Sequence, residues 1–185
     1  MKKGSLFLLL TVLFLTSCDT SQKNISREEQ IEKIVKMEND YRDSQATTHF
    51  MENVQKLLAG YGDFINQYPQ DALSPEFLMR ASIVALNSHQ ESYAVTLLSR
   101  LYNDYPESPL RPEALFRQAY INDDFLGYPD RAKALYEEFL VMFPNDPLAK
   151  DAEQLLKFVD QDPEEFIKFL LEQGEPVEGD PELAI

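Results

Sequence analysis

Side chains able to do chemistry are few. The chain has 185 residues, with one cysteine, Cys18, and two histidines, His49 and His89. A single thiol cannot close an internal disulfide, and it excludes a four-thiolate zinc site. Neither histidine stands in a His-x-x-x-His pair that could grip a metal from one helix face. His89 falls at a turn between two expected helices and His49 opens another, where a solvated polar residue is ordinary. Adjacent acids occur at Asp123-Asp124, Glu137-Glu138 and Glu164-Glu165. Neighbouring residues on a helix do not face each other, so these pairs read as solvated faces or first-turn charges. The six glycines form no glycine-rich phosphate loop. Nucleophile, base and orienting group never coincide. The sequence reads as a non-enzyme, with no catalytic residue, no metal ligand and no cofactor.

Composition narrows the partners. There are 17 Lys+Arg against 32 Asp+Glu, a formal charge of -15. A phosphate-backbone binder needs basic residues to displace counterions, so nucleic acid is excluded as a partner. Apolar residues make up 44% and aromatic residues 11%, enough for a packed core.

Residues 1–18 read MKKGSLFLLLTVLFLTSC. Lys2 and Lys3 precede an apolar run from Leu6 to Leu15, too short to span about 30 Å of hydrocarbon as a stable helix. Small residues and then the cysteine follow, the pattern of an export signal. Residues 1–17 are taken as the signal peptide and 18–25 as a polar tether. Leu15-Thr16-Ser17-Cys18 further resembles a bacterial lipobox, in which the cysteine is lipidated and becomes the first mature residue. That resemblance implies lipid attachment at Cys18. A plain secretory signal with an incidental thiol and an uncleaved membrane anchor are the alternatives. Several acyl chains would anchor the protein stably, whereas one would hold it only marginally. Loss of residues 1–17 removes Lys2, Lys3 and no acid, so the mature chain carries -17. Its own surface is therefore expected to stand off an anionic bilayer.

Beyond the tether the chain repeats itself. Tyr68-Pro69, Tyr105-Pro106 and Phe143-Pro144 recur at intervals of 37 and 38. Phe64, Leu101 and Phe139 correspond, as do Tyr61, Leu98 and Tyr136, and Leu73, Leu110 and Leu148. At an offset of 38, Ala81 and Ala94 match Ala119 and Ala132. A fixed period of this size marks a solenoid; a plain helical bundle is the alternative. Each unit reads as two helices. Ser74 is the expected N-cap of one and Ser88 with Glu91 the capping box of the next. Ser26 and Glu29 form another box ahead of Ile31 and Ile34. Gly127 breaks the second unit and Pro129 restarts it. Asp162-Pro163 is expected to open a last helix, with Phe166, Phe169 and Leu170 docked as a terminal cap.

The units resemble tetratricopeptide repeats. Ser82 takes the small first-helix position, Ala94 the alanine of the second helix, Leu98 the large residue four further on and Pro106 the closing proline. In the next unit these become Tyr120, Ala132, Tyr136 and Pro144, and Tyr120 departs from the small-residue rule. The period exceeds the family's usual one of about 34. Extended turns such as YPESPL and FPNDPL resemble the variant in bacterial envelope lipoproteins of the barrel-assembly and Tol-Pal types. The stretch GYPDRAKALYEEFLVMFPNDPLAKDA also resembles small lipoproteins of the Bacteroidetes. The fold class implied is all-α, a tetratricopeptide-like right-handed superhelix of antiparallel helix pairs. The repeat domain is placed at residues 26–173, followed by an acidic mobile tail at 174–185.

Such a stack binds along the side lined by the first helix of each pair. By register, Glu76, Met79, Ile83 and Asn87 face that groove in one unit. Arg117, Ile121, Asp124 and Phe125 face it in the next. Ile83, Ile121 and Phe125 could instead be core, since apolar residues at helical spacing usually pack. The function expected is a lipid-anchored, periplasm-facing scaffold for an envelope protein partner in assembly or division. Alternatives are a structural envelope lipoprotein without a groove ligand and an accessory that presents peptidoglycan. The outer membrane is favoured over the inner, although Asp19 resembles an inner-membrane retention signal of enteric bacteria.

Overall fold

Proline has no amide hydrogen and disfavours helical geometry in the residue before it. In the computed structural model, which describes residues 25–159, three helices stop at an aromatic–proline pair. The described residues form seven α-helices: α1 (Arg27–Asp43), α2 (Phe50–Gln67), α3 (Leu73–Asn87), α4 (Glu91–Asp104), α5 (Arg111–Tyr120), α6 (Pro129–Met142) and α7 (Ala149–Phe158). One π-helical turn, Ile121–Phe125, continues α5, and there is no strand among the described residues. Extensive packing runs between each helix and the next in sequence.

The turn after each even-numbered helix is built the same way. Tyr68, Tyr105 and Phe143 leave the helix at φ/ψ of -126/58, -126/66 and -133/52. Each donates its N–H to the carbonyl four residues back, on Phe64, Leu101 and Phe139. Three residues later a side-chain oxygen of Asp71, Ser108 or Asp146 accepts from the amide of Leu73, Leu110 or Leu148, at 2.9, 3.2 and 2.9 Å. Asx and Ser/Thr turns of this kind satisfy amides at a helix start. The sequence matches at these positions are therefore matches of hydrogen bonding too.

The turn inside each unit also recurs. His89 and Gly127 both adopt positive φ, 57 and 64. Gln90 and Tyr128 follow with similar non-helical angles, φ/ψ of -117/53 and -113/69, before α4 and α6. The Gln90 amide donates back five residues to Ala85 and the Tyr128 amide back six, to Asn122. The π-helical turn contributes that extra residue. Up to Asn122 the two units align at an offset of 37, and beyond it at 38. Ser82 thus aligns with Ala119, both buried, while Tyr120 is exposed. Tyr120 therefore corresponds to the exposed Ile83 and not to Ser82.

Two serines are used differently from expectation. Ser74 lies inside α3, and its hydroxyl donates to the Tyr68 carbonyl at 2.7 Å. Ser88 ends α3 rather than starting α4, donating to the carbonyls of Val84 and Ala85 at 2.8 and 3.1 Å. A short hydroxyl can serve either helix end. Ser26 and Glu29 do form the capping box of α1. α1 and α2 are separate helices, parted after Ser44. The leader, Cys18, the expected helix from Asp162 and the tail at 174–185 lie outside the described residues.

Two apolar clusters follow from this stacking. Leu57, Tyr61, Phe64, Leu78, Leu98 and Leu101 belong to the first, and Leu115, Tyr136, Phe139 and Ala152 to the second. α5 joins them, placing Ala114 in one and Leu115 and Ala119 in the other. Phe77 stacks edge-on to Phe64, with ring centres 4.9 Å apart, and Phe116 meets Tyr136 and Phe139 at 5.9 and 5.8 Å. Each such pair adds about 0.5–1.5 kcal/mol beyond its buried area. Arg111 ties the clusters across the outside. Its Nε donates to the Tyr102 carbonyl at 3.1 Å, and its guanidinium lies 4.5 Å from the Tyr102 ring centre and 5.8 Å from that of Phe143. At the front, Arg27 pairs with Asp71, fastening α1 to the first repeated turn.

A Cβ at Gly127 would meet nothing within 4 Å, so only the positive φ opposes a side chain there. Gly127→Ala should lower unfolding free energy by about 1 kcal/mol, read by urea denaturation. The Arg27 guanidinium, hydrogen-bonded to Asp71, holds that carboxyl below its usual range. A depressed folded pKa contributes stability above the unfolded value and loses it as pH falls through the folded one. Asp71→Asn should therefore melt below the parent near pH 7, and the gap should narrow as pH falls below the ordinary carboxylate range of about 4. A gap that stays constant over this range would contradict this link.

Candidate functional site

An exposed stripe runs along α3. Glu76, Arg80, Ile83 and Asn87 are all exposed, spaced four, three and four apart, as one helix face requires. The Ile83 side chain is 38% accessible on this stripe. Met79 does not belong to it: it is 7% accessible and lies in the first core cluster, its sulfur 4.0 Å from the Ser82 hydroxyl. A helix position three from Glu76 and four from Ile83 lies to one side of the line they define, and there it turns inward. Arg80 takes the outward place.

On α5 the correspondence at an offset of 37 decides exposure. Ile121 aligns with Val84, not Ile83, and is 3% accessible. It is a core residue. The matching exposed residues are Glu113 and Arg117, both partly exposed, and Tyr120, which is 39% accessible. Asp124 and Phe125 are exposed on the π-helical turn, Phe125 at 47%. Of the eight expected groove residues, Glu76, Ile83, Asn87, Arg117, Asp124 and Phe125 thus reach the surface and Met79 and Ile121 do not. Arg80 and Tyr120 were missed. The same spacing of four, three and four along α3 would have found Arg80, and the single offset of 37 would have found Tyr120.

Charge on this face is largely paired. Arg80 reaches Glu76 at 3.5 Å and Glu38 on α1 at 3.0 Å. Arg117 reaches Glu113 at 2.7 Å. Exposed pairs like these set orientation more than stability. Beneath Arg80, the buried Tyr61 hydroxyl donates to Glu38 at 2.6 Å. Burial, then the hydrogen bond to Glu38, pushes the Tyr61 phenol up, so it stays a donor at any ordinary pH. Glu38, Tyr61 and Arg80 line a cleft of about 350 Å³ between α1, α2 and α3, together with Tyr41, Leu57, Ile83 and Val84. The Tyr41 hydroxyl there is buried without a hydrogen-bond partner. The cleft can take an apolar side chain with a polar group beside it.

The remaining candidates stand apart. His49 lies 3.4 Å from Glu52 and His89 3.7 Å from Glu91, each a short contact at the start of a helix. Glu138 accepts from the Tyr102 hydroxyl at 2.7 Å. Among the described residues no group of three His, Cys, Asp or Glu side chains could hold a metal ion, and no helix is long and apolar enough to cross a membrane. No family model matches the chain, and no curated protein matches it either.

Tyr61→Phe should cost about 1–2 kcal/mol, because it removes the hydrogen bond and leaves the Glu38 carboxylate less satisfied. Arg80→Ala should cost under about 1 kcal/mol. Thermal melts of both variants check the order; a larger loss from Arg80 would relocate the main tie of α1 to the surface pair.

Proposed function

We propose that this chain is a lipid-anchored, periplasm-facing scaffold of tetratricopeptide type, which holds an envelope protein partner and performs no reaction. In this reading its helices stack as antiparallel pairs in a right-handed superhelix, and Cys18 carries the lipid. The observation that supports it most is the turn built three times with the same angles and hydrogen bonds, at Tyr68, Tyr105 and Phe143. Equivalent turns produce equivalent helix pairs, and stacked pairs expose one continuous side. On that side the stripe of α3 and the end of α5 mix apolar and charged groups, as protein-binding surfaces do. The partner lies in envelope assembly or division, and the outer membrane is the favoured site of anchoring.

The test joins anchor and surface. Cys18→Ser should move the chain from the membrane fraction to the soluble one. Arg117→Ala with Asp124→Ala should lower the yield of a defined crosslinked partner at least about fivefold, while the melting temperature falls by no more than about 3 °C. Unfolding of the double variant, or an undiminished yield, would contradict the binding surface. A Cys18→Ser chain that stays on membranes would contradict the anchor.

A further inference from the structure

The π-helical turn gives the second unit a patch that the first lacks. At the matched place in the first unit stands Asn87, which is exposed but carries no ring. In the second unit that exposed place holds Phe125. Its ring meets that of Tyr120 edge-on at 5.9 Å, and the Tyr120 hydroxyl donates to Asp124 at 3.1 Å. Tyr128, in the same turn, is exposed as well. Between Arg117 and Arg131 the chain carries Asp123, Asp124 and Asp130 and no Lys or Arg. Burial, and then Asp124, pushes the Tyr120 phenol up, and burial, and then Asp123, pushes up that of Tyr136. Beneath the patch, the fully buried Asn122 Oδ1 and Tyr136 hydroxyl have no hydrogen-bond partner. Exposed aromatic faces and carboxylates both favour a cation, the first through the ring quadrupole and the second through charge.

We infer that the Tyr120–Asp124–Phe125 patch docks an arginine- or lysine-bearing segment of a protein partner. The inference rests on the reading of this side as a docking surface, and it names the partner's chemistry. A guanidinium fits best, since its flat face stacks on a ring while its edge reaches Asp124. A chain of net charge -15 attracts any cation weakly, so the local site must be separated from the overall field.

The experiment titrates the full chain in detergent with a tetra-arginine amide, following amide shifts by nuclear magnetic resonance. The shifts should concentrate at residues 120–128. Phe125→Ala with Asp124→Asn should weaken binding about tenfold, the sum of one cation–π contact and one exposed ion pair. Tyr93→Ala with Asp63→Asn removes an exposed aromatic and an acid elsewhere, and should leave affinity within about twofold. Phe125→Leu keeps apolar area without the ring and should weaken binding severalfold. Equal loss in both double variants, or shifts spread over the whole surface, would reduce the effect to net charge and overturn the inference. Binding of chitotriose at residues 120–128, with none of the peptide, would assign the patch to sugar and overturn it too. Ile83→Ala lies off the patch; if it alone abolishes partner capture, the docking surface stands while this inference fails.

Discussion

The fold depends on how the backbone leaves a helix at an aromatic residue followed by proline. Proline denies the preceding residue helical geometry, and Tyr68, Tyr105 and Phe143 answer with nearly the same non-helical angles. Each then hands the chain to an Asp or Ser whose side chain caps the amide two residues on. The direction of the next helix is thus set by bonds within a few residues. Phe64, Leu101 and Phe139, one turn earlier, are wholly buried, so the turn and the core are set by neighbouring residues of one short motif.

Local fixing explains why a chain this acidic can build an ordered stack. Its apolar area is divided into two clusters that share α5, and each cluster needs only the helices next to it. Charge is confined to the outside, in helix pairs such as Glu76–Arg80 and Glu113–Arg117, and in cross-helix ties such as Arg27–Asp71. The part-buried Tyr61–Glu38 bond, with Arg80 on the same carboxylate, is a second polar link of α1 to the rest. One departure from regularity, the extra residue at Ile121–Phe125, buries Ile121 and Asn122 and turns Asp124 and Phe125 out to solvent. Inserted residues of this kind are frequent at functional sites.

Much of this was legible in the sequence because proline, glycine and capping residues act locally. The aromatic–proline turns, the Ser26–Glu29 box, the break at Gly127 and the helix start at Pro129 all stand where residue chemistry alone puts them. What was not legible involved choices between near-equal options. Ser74 and Ser88 could have capped a following helix, and both bond a carbonyl behind them instead. Offsets of 37 and 38 both gave matching residues, and only the backbone bonds show where one yields to the other. That one-residue ambiguity misplaced Ile121, which is buried, and hid Tyr120, which is not. Met79 was misplaced for a different reason, since a position beside the exposed stripe of a helix can turn either way.

Backbone dihedral angles from solution chemical shifts test the repeated turn most directly. The account predicts that Tyr68, Tyr105 and Phe143 share φ near -130 and ψ near 60, and that His89 and Gly127 both show positive φ. Helical angles at Tyr105, or negative φ at Gly127, would mean that the units are not equivalent and that the stack does not exist in this register.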